Sequence, residues 1–169
     1  VSSDLTVVHF PTPSIGWAVG NDGVVLHTTD GGTTWEKQLD GFGVGKILQE
    51  SYITNPLNAL PNDGSAEAFA SSIQTLIKDE AAIPFLDVLF ENEKTGYIVG
   101  AFNLIFRTDD GGKSWQTNNV FSGQLSGQTA FAGLVQDAMG RVHVVTSAQG
   151  LDNFTGMRYA VWDEVEGWS

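Results

Sequence analysis

Cysteine is absent from the 169 residues. Disulfides, thiolate metal sites and a cysteine nucleophile are thereby excluded. Histidine is scarce: His9, His27 and His143 are the three present, and their spacing does not suit a His-rich metal site. Basic residues are few. Eight Lys+Arg stand against 20 Asp+Glu, for a net charge of −12 and an isoelectric point near 4.3. That sign argues against a nucleic-acid partner and against an anionic membrane surface. No stretch approaches the ~20 apolar residues needed for direct membrane insertion. The glycine-rich Gly41–Gly45 follows no α/β unit and precedes no Lys-Ser/Thr pair, so it reads as a flexible loop rather than a phosphate cradle. No cofactor is expected. The chain starts at Val1 without a basic, apolar leader and stops directly after a predicted strand, so both ends read as cut. What is present is 41% hydrophobic residues at a mean hydropathy of −0.05. This is enough apolar material for a soluble, packed core in one domain or a few small repeats.

The main positive signal is an internal repeat. A shift of 80 residues aligns Phe10–Trp35 with Phe90–Trp115 without a gap. Phe10/Phe90, Gly16/Gly96, Val19/Val99, Gly20/Gly100, Thr28/Thr108, Asp30/Asp110, Gly31/Gly111, Gly32/Gly112 and Trp35/Trp115 are identical pairs, and Trp17/Tyr97, Val25/Ile105 and Thr34/Ser114 are conservative ones. Each copy reads as short strands rich in β-branched and aromatic residues, separated by Gly, Asn, Asp and Pro. The predicted strands are Leu5–Phe10, Gly16–Gly20, Val24–Thr28 and Trp35–Gln38, then Phe85–Phe90, Gly96–Gly100, Leu104–Thr108 and Trp115–Thr117. Runs apolar on both faces suit small sheets stacked between neighbouring sheets. Four short antiparallel strands per repeat describe a β-propeller blade. The predicted fold class is therefore all-β, with propeller-type four-stranded antiparallel blades and a helical insert.

Between predicted strands three and four of each copy lies the pattern Thr28-x-Asp30-x-Gly32-x-Thr34-Trp35, repeated as Thr108-x-Asp110-x-Gly112-x-Ser114-Trp115. This matches the Asp-box. The carboxylate can accept N–H groups of its own turn, glycine allows positive φ where the chain reverses, and the tryptophan is expected to anchor the hairpin by burying its ring. These ten residues are read as structural. The rival reading is calcium at Asp109 and Asp110, but Ca²⁺ wants about six to eight oxygens and copy one has Thr29 in place of the first acid.

The chain divides as a single partial propeller over 1–169: a blade at 1–40, a helical insert at 41–84, a second blade at 85–118 and a third candidate blade at 119–169. In the insert, Asn55-Pro56 and Pro61–Gly64 read as turns. Ser65–Ala81 reads as a helix with Ser65 as N-cap, Glu67 in the first turn, and an apolar stripe of Phe69, Ile73, Leu76 and Ile77. Lys46–Tyr52 reads as a second, shorter helix. The long helix is expected to pack on the outside of a blade, and the alternative is a partner-binding surface. In the last segment, 116–130 reads as loop. Phe131–Gln136, Arg141–Thr146, Arg158–Trp162 and Gly167-Trp168 read as strands, forming a third blade or an unrelated β-element. Asn153-Phe154-Thr155 is a glycosylation sequon that carries no weight by itself.

The stretches G-W-A-V-G-N-D-G-V-V-L-H-T-T-D-G-G-T-T-W and G-Y-I-V-G-x-x-x-L-I-F-R-T-D-D-G-G-K-S-W resemble the photosystem II stability/assembly factor-like propellers, within the wider Asp-box or bacterial neuraminidase repeat group. The resemblance covers about residues 5–118. The helical stretch before F-L-D-V-L-F is similar to an insert of proteobacterial members encoded near lipid- or drug-exporter-type transporters, and the tail resembles blades of sialidase-like propellers. The resemblance implies a ring of about seven blades, a periplasmic or secreted location, and a non-catalytic binding or assembly scaffold linked to a membrane complex or transporter. A protein partner is expected. Because propellers take about four to eight blades, the chain is expected to be either a piece of a longer propeller or one that self-associates to close the ring.

Two alternatives remain at this point. A sialidase-type glycosidase would need an arginine triad, a tyrosine nucleophile paired with a glutamate, and an acid/base aspartate. The candidates are Arg107, Arg141 and Arg158, with Tyr52, Tyr97 and Tyr159. Arg107 aligns with His27 and reads as a strand-face residue, and Arg141 as solvated. A carbohydrate-binding propeller could stack sugars on Trp162 and Trp168. The histidines read as ordinary blade-face residues and Met139 as a turn neighbour, leaving no catalytic residue assigned.

Overall fold

The computed structural model describes residues 3–54, 71, 73–75, 77–78, 83–117, 132–149, 155–163 and 167–168. Ser65, Glu67, Phe69, Leu76, the turns at 55–56 and 61–64, most of 116–130 and most of the sequon lie outside these residues. Three four-stranded antiparallel sheets form in chain order. Sheet A is β1 (Leu5–His9), β2 (Gly16–Gly20), β3 (Val25–Thr28) and β4 (Glu36–Leu39). Sheet B is β5 (Phe85–Phe90), β6 (Gly96–Gly100), β7 (Ile105–Thr108) and β8 (Gln116–Thr117). Sheet C is β9 (Ala132–Gln136), β10 (Val142–Gln149), β11 (Thr155–Asp163) and β12 (Gly167–Trp168). Each pairs its strands in sequence order, as propeller blades do. The last segment thus repeats the blade topology, with longer strands than its sequence signals suggest.

The first strands β1, β5 and β9 lie beside one another, so the sheets stack A on B on C. Side chains bridge them. Thr6 Oγ1 donates to Phe85 O at 2.7 Å, His9 Nε2 to Phe90 O at 3.1 Å, and the Leu134 amide to Asp87 Oδ2 at 2.8 Å. The middle strands β2 and β6 are buried at every residue, which explains why their sequences show no polar alternation. Trp17 of A lies flat on Phe90 of B, centroids 3.5 Å apart and 6° between planes. A second, smaller core between B and C holds Val99, Ile105 and Val144.

Turns reverse each sheet in matching ways. The β2–β3 and β6–β7 connections are single 3-10 turns, Asn21–Gly23 and Ala101–Asn103. Asp22 (φ 60°) and Phe102 (φ 62°) occupy the left-handed region, so copy two keeps the shape of copy one with a phenylalanine at a position that costs a bulky residue free energy. Phe102 is partly buried against the main core, and that packing offsets the strain.

The Gly-rich segment differs from expectation. It is not a flexible loop: α1 runs over Gly41–Leu48 and continues as wider π-helical turns over Gln49–Thr54. Asp40 caps α1, accepting the Gly43 amide at 3.1 Å. Glycine disfavours helix, but tertiary packing overrides that preference here. Val44, Leu48 and Tyr52 enter the main core, and a side chain on Gly23 would meet Val44 at 2.8 Å and the Gly41 backbone at 3.4 Å. Helical residues also occur within 71–78, where Thr75 Oγ1 donates to Ser71 O at 3.0 Å. The expected apolar stripe is represented by Ile73, fully buried, and Ile77, packed on the same core. The insert is therefore not an outer coat on one blade. It plugs the end of the stack that carries the β2–β3 turns, where Gly23 N–H donates to Ile83 O at 2.9 Å. Among the described residues no helix is long and apolar enough to cross a membrane.

Candidate functional site

The Asp-box turns sit at the opposite end of the sheets from the insert. Their geometry is the same in both copies. The Thr28 hydroxyl donates to Asp30 Oδ1 at 2.8 Å and accepts the Gly32 amide at 2.9 Å. Asp30 Oδ1 accepts the Thr34 amide at 2.8 Å and Oδ2 the Thr34 hydroxyl at 2.6 Å. In copy two, Thr108, Asp110, Gly112 and Ser114 repeat these bonds at 2.8, 2.9, 2.9 and 2.6 Å. Gly32 and Gly112 take φ of +90° and +82°, which is why a side chain is disfavoured there. Gly31 and Gly111 donate to Ser14 O and Lys94 O at 2.9 and 2.8 Å, pinning each box to the β1–β2 or β5–β6 turn of its own sheet.

Both carboxylates are consumed by their own turns. Asp109 turns away from Asp110 to pair with Arg107 at 2.8 Å. Among the described residues no group of three or more His, Asp or Glu is placed to hold a metal ion. The tryptophans differ. Trp115 is buried, at 8% exposure, while Trp35 is 37% exposed, contrary to the expectation that both rings are buried. Trp115 meets Phe90 edge-on in the A–B interface. Trp35 meets Phe10 on the face of sheet A turned away from B, where no described sheet covers it.

Two consequences are measurable. Thr28 and Thr108 are fully buried, so Thr28→Val or Thr108→Val removes the acceptor of the Gly32 or Gly112 amide and is expected to cost about 1–3 kcal/mol; the chemical-denaturation midpoint reports it. The second is an acid limb. The Thr34 hydroxyl and amide, with Thr28, hold the Asp30 carboxyl down from 3.8 to about 2. Asp110 is lowered too: burial pulls it up, and the bonds from Ser114 and Thr108 outweigh that pull. Because the folded value lies below the unfolded one, this stabilisation is complete above about pH 4 and is lost as pH falls through 2. Stability against urea should therefore decline across that window, and an Asp30→Asn/Asp110→Asn variant should show a flatter limb. An unchanged limb would remove the Asp-boxes as its cause.

Between the Asp-box ends of A and B opens a cleft of about 860 Å³. Its floor is an inter-sheet lock: Trp17 Nε1 donates to Gln38 Oε1 at 3.0 Å, and Gln38 Nε2 donates to Gly111 O at 2.9 Å. His27 stacks on the other face of Trp17, centroids 4.7 Å apart. Burial lowers its pKa, partly countered by Glu36. Lys37, Lys94 and Lys113 line the cleft together with Glu36 and Glu93. Three of the eight cations of a strongly acidic chain thus share one groove with Glu36, Glu93, Asp109 and Asp110, offering both charge signs to a polar segment.

The alternative site residues do not assemble. Arg107 pairs with Asp109 and lies 4.8 Å over the Trp162 ring, which takes the face a sugar would stack on. Arg141 is not simply solvated: it pairs with Asp137 at 2.7 Å. The side chains of Arg158 and Trp168 lie outside the described residues. Tyr52 and Tyr97 are buried in the sheet stack. The sequence reading of His143 as an ordinary face residue missed a connected cluster. His143 Nε2 lies 3.0 Å from Asp137 Oδ2, and its Nδ1 2.6 Å from the Tyr159 hydroxyl. The turn Asp137-Ala138-Met139-Gly140 was a signal for the aspartate alone. The pairing with Tyr159 depends on the register of β11.

Comparison with known proteins finds a family match over the second copy of the repeat. Residues 67–135 match the family model of the photosynthesis system II assembly factor YCF48. This span runs from the insert through sheet B into β9, and the resemblance to the Asp-box assembly-factor propellers holds there. A search of curated proteins gives no match. Among solved structures, one described as YCF48 bound to D1 peptide is 18% identical, over 99% of this chain and 55% of that one, with a TM-score of 0.47. YCF48 from Cyanidioschyzon merolae is 22% identical over 90% of this chain and 39% of that one, also at 0.47. The chain thus spans about half or less of the length of these proteins.

Proposed function

We propose that the chain is a non-catalytic binding scaffold whose A–B cleft holds an extended segment of a partner protein. The carrying observation is the cleft itself: two sheets tied together by the Trp17–Gln38–Gly111 hydrogen bonds, with lysines and carboxylates along the opening. The match to an assembly-factor family supports this reading. On the same resemblance we place the protein outside the cytoplasm, periplasmic or secreted, serving a membrane complex or transporter. Secretion into a culture's periplasmic or extracellular fraction tests that placement; retention in the cytosol contradicts it.

The first probe is a D1 peptide, the ligand named for one of the similar structures, titrated by calorimetry. Saturable binding that weakens about tenfold or more in Lys94→Glu/Lys113→Glu supports the cleft, since charge reversal at close contacts typically costs more than 1.4 kcal/mol. Binding unaffected by that variant moves the site elsewhere on the scaffold. Absence of binding removes D1 as partner.

A further inference from the structure

Sheet C carries a chain of three polar groups that the binding cleft does not use. Asp137 opens the β9–β10 turn. Its Oδ1 accepts the amides of Met139 and Arg141 at 2.9 and 3.0 Å, and its Oδ2 accepts Arg141 Nε at 2.8 Å. The bond from His143, the strongest of these influences, and the donors of Arg141 and Met139 hold the carboxyl well below the usual carboxylate range. A carboxylate only accepts, so His143 Nε2 carries the hydrogen of the 3.0 Å contact. In the neutral ring Nδ1 is then the acceptor, and the Tyr159 hydroxyl donates to it at 2.6 Å. The order is carboxylate, imidazole, hydroxyl. This is the general arrangement of an activated nucleophile: a base within hydrogen-bond reach, oriented by a third group.

Register explains why the groups meet. His143 pairs with Val135 and Val161, while Tyr159 pairs with Val145. His143, Val145, Tyr159 and Val161 therefore share one face of sheet C. The other face, with Val142, Val144 and Ala160, is buried. Tyr159 is 59% exposed, and Met157 beside it and Val135 beside His143 are exposed as well. An accessible phenol thus stands on a half-apolar pad with a supported base behind it.

We propose that Tyr159 is an acyl-acceptor tyrosine, activated by His143 and Asp137 and reactive toward activated esters. Tyr159 Oη attacks the ester carbonyl carbon. The new O–C bond forms, the bond to the leaving oxygen breaks, and the phenolic proton passes to His143 Nδ1 and then to solvent or the leaving group. The products are an O-acyl tyrosine and the free alcohol or phenol. The step is stoichiometric and leaves the scaffold reading of the cleft untouched.

The probe is p-nitrophenyl acetate, followed by p-nitrophenolate release and by mapping acetyl groups on peptides. Tyr159 should acetylate about a hundredfold faster than N-acetyltyrosinamide, within the range a positioned base contributes. Tyr159→Phe should remove the tyrosine adduct while lysine acetylation continues. His143→Gln, which keeps a polar side chain but no base, should lower the Tyr159 rate about a hundredfold, and Asp137→Asn should lower it by less. The Gln variant is compared at matched melting temperature, and His143→Ala with added imidazole gives the rescue. A Tyr159 rate equal to that of the model amide, or unchanged in His143→Gln, overturns the proposal.

Discussion

Trp17→Ala is expected to be the most destabilising single change in sheet A, costing about 3–5 kcal/mol. The ring is fully buried, lies on Phe90 at 3.5 Å and donates to Gln38. Its loss opens a cavity between A and B. It also frees Gln38, whose other end holds Gly111, so the cleft floor should loosen as well. Trp17→Phe separates the two contributions. It keeps much of the stacking area and leaves the Gln38 acceptor without its partner, at a cost of about 1 kcal/mol. Denaturant unfolding followed by far-UV circular dichroism measures both. A loss below about 1 kcal/mol for the alanine variant would mean that A and B do not share a core, because large-to-small changes in a common core cost more.

Ile73→Ala is the second. If the insert were a surface decoration, shaving this side chain would cost little. It is fully buried in the same core as Val44, Leu48 and Ile83, so about 2–5 kcal/mol is expected. The variant should unfold in one transition with the sheets, because the insert fills the end of the stack. A separate, early transition of the helical signal with the sheet transition unmoved would return the insert to the status of a coat.

Local chemistry explains which parts were legible beforehand. The strands of A and B and their Asp-box turns follow from side chains that satisfy their own backbone: Thr28, Asp30 and Thr34 need no distant partner to close that turn. A repeat 80 residues away restates the same local solution. Sheet C is harder to read because its strands are longer and its turn relies on Asp137 instead of a box. The Gly41–Gly45 helix runs against residue preference, and the tertiary packing of Val44, Leu48 and Tyr52 in the core accounts for it.

The blade follows from residues close together in the chain: its four strands, its turn chemistry and the all-β class are set by hydrophobic patterning and turn residues that act within a few positions of one another. How the blades meet is settled by packing between sheets. That Trp115 is covered while Trp35 is open, that Gln38 spans two sheets, that the insert closes one end, and that His143 lies between Asp137 and Tyr159 all depend on which faces are stacked and on strand register. Those relations join residues distant in the chain, where composition and spacing carry no information about contact.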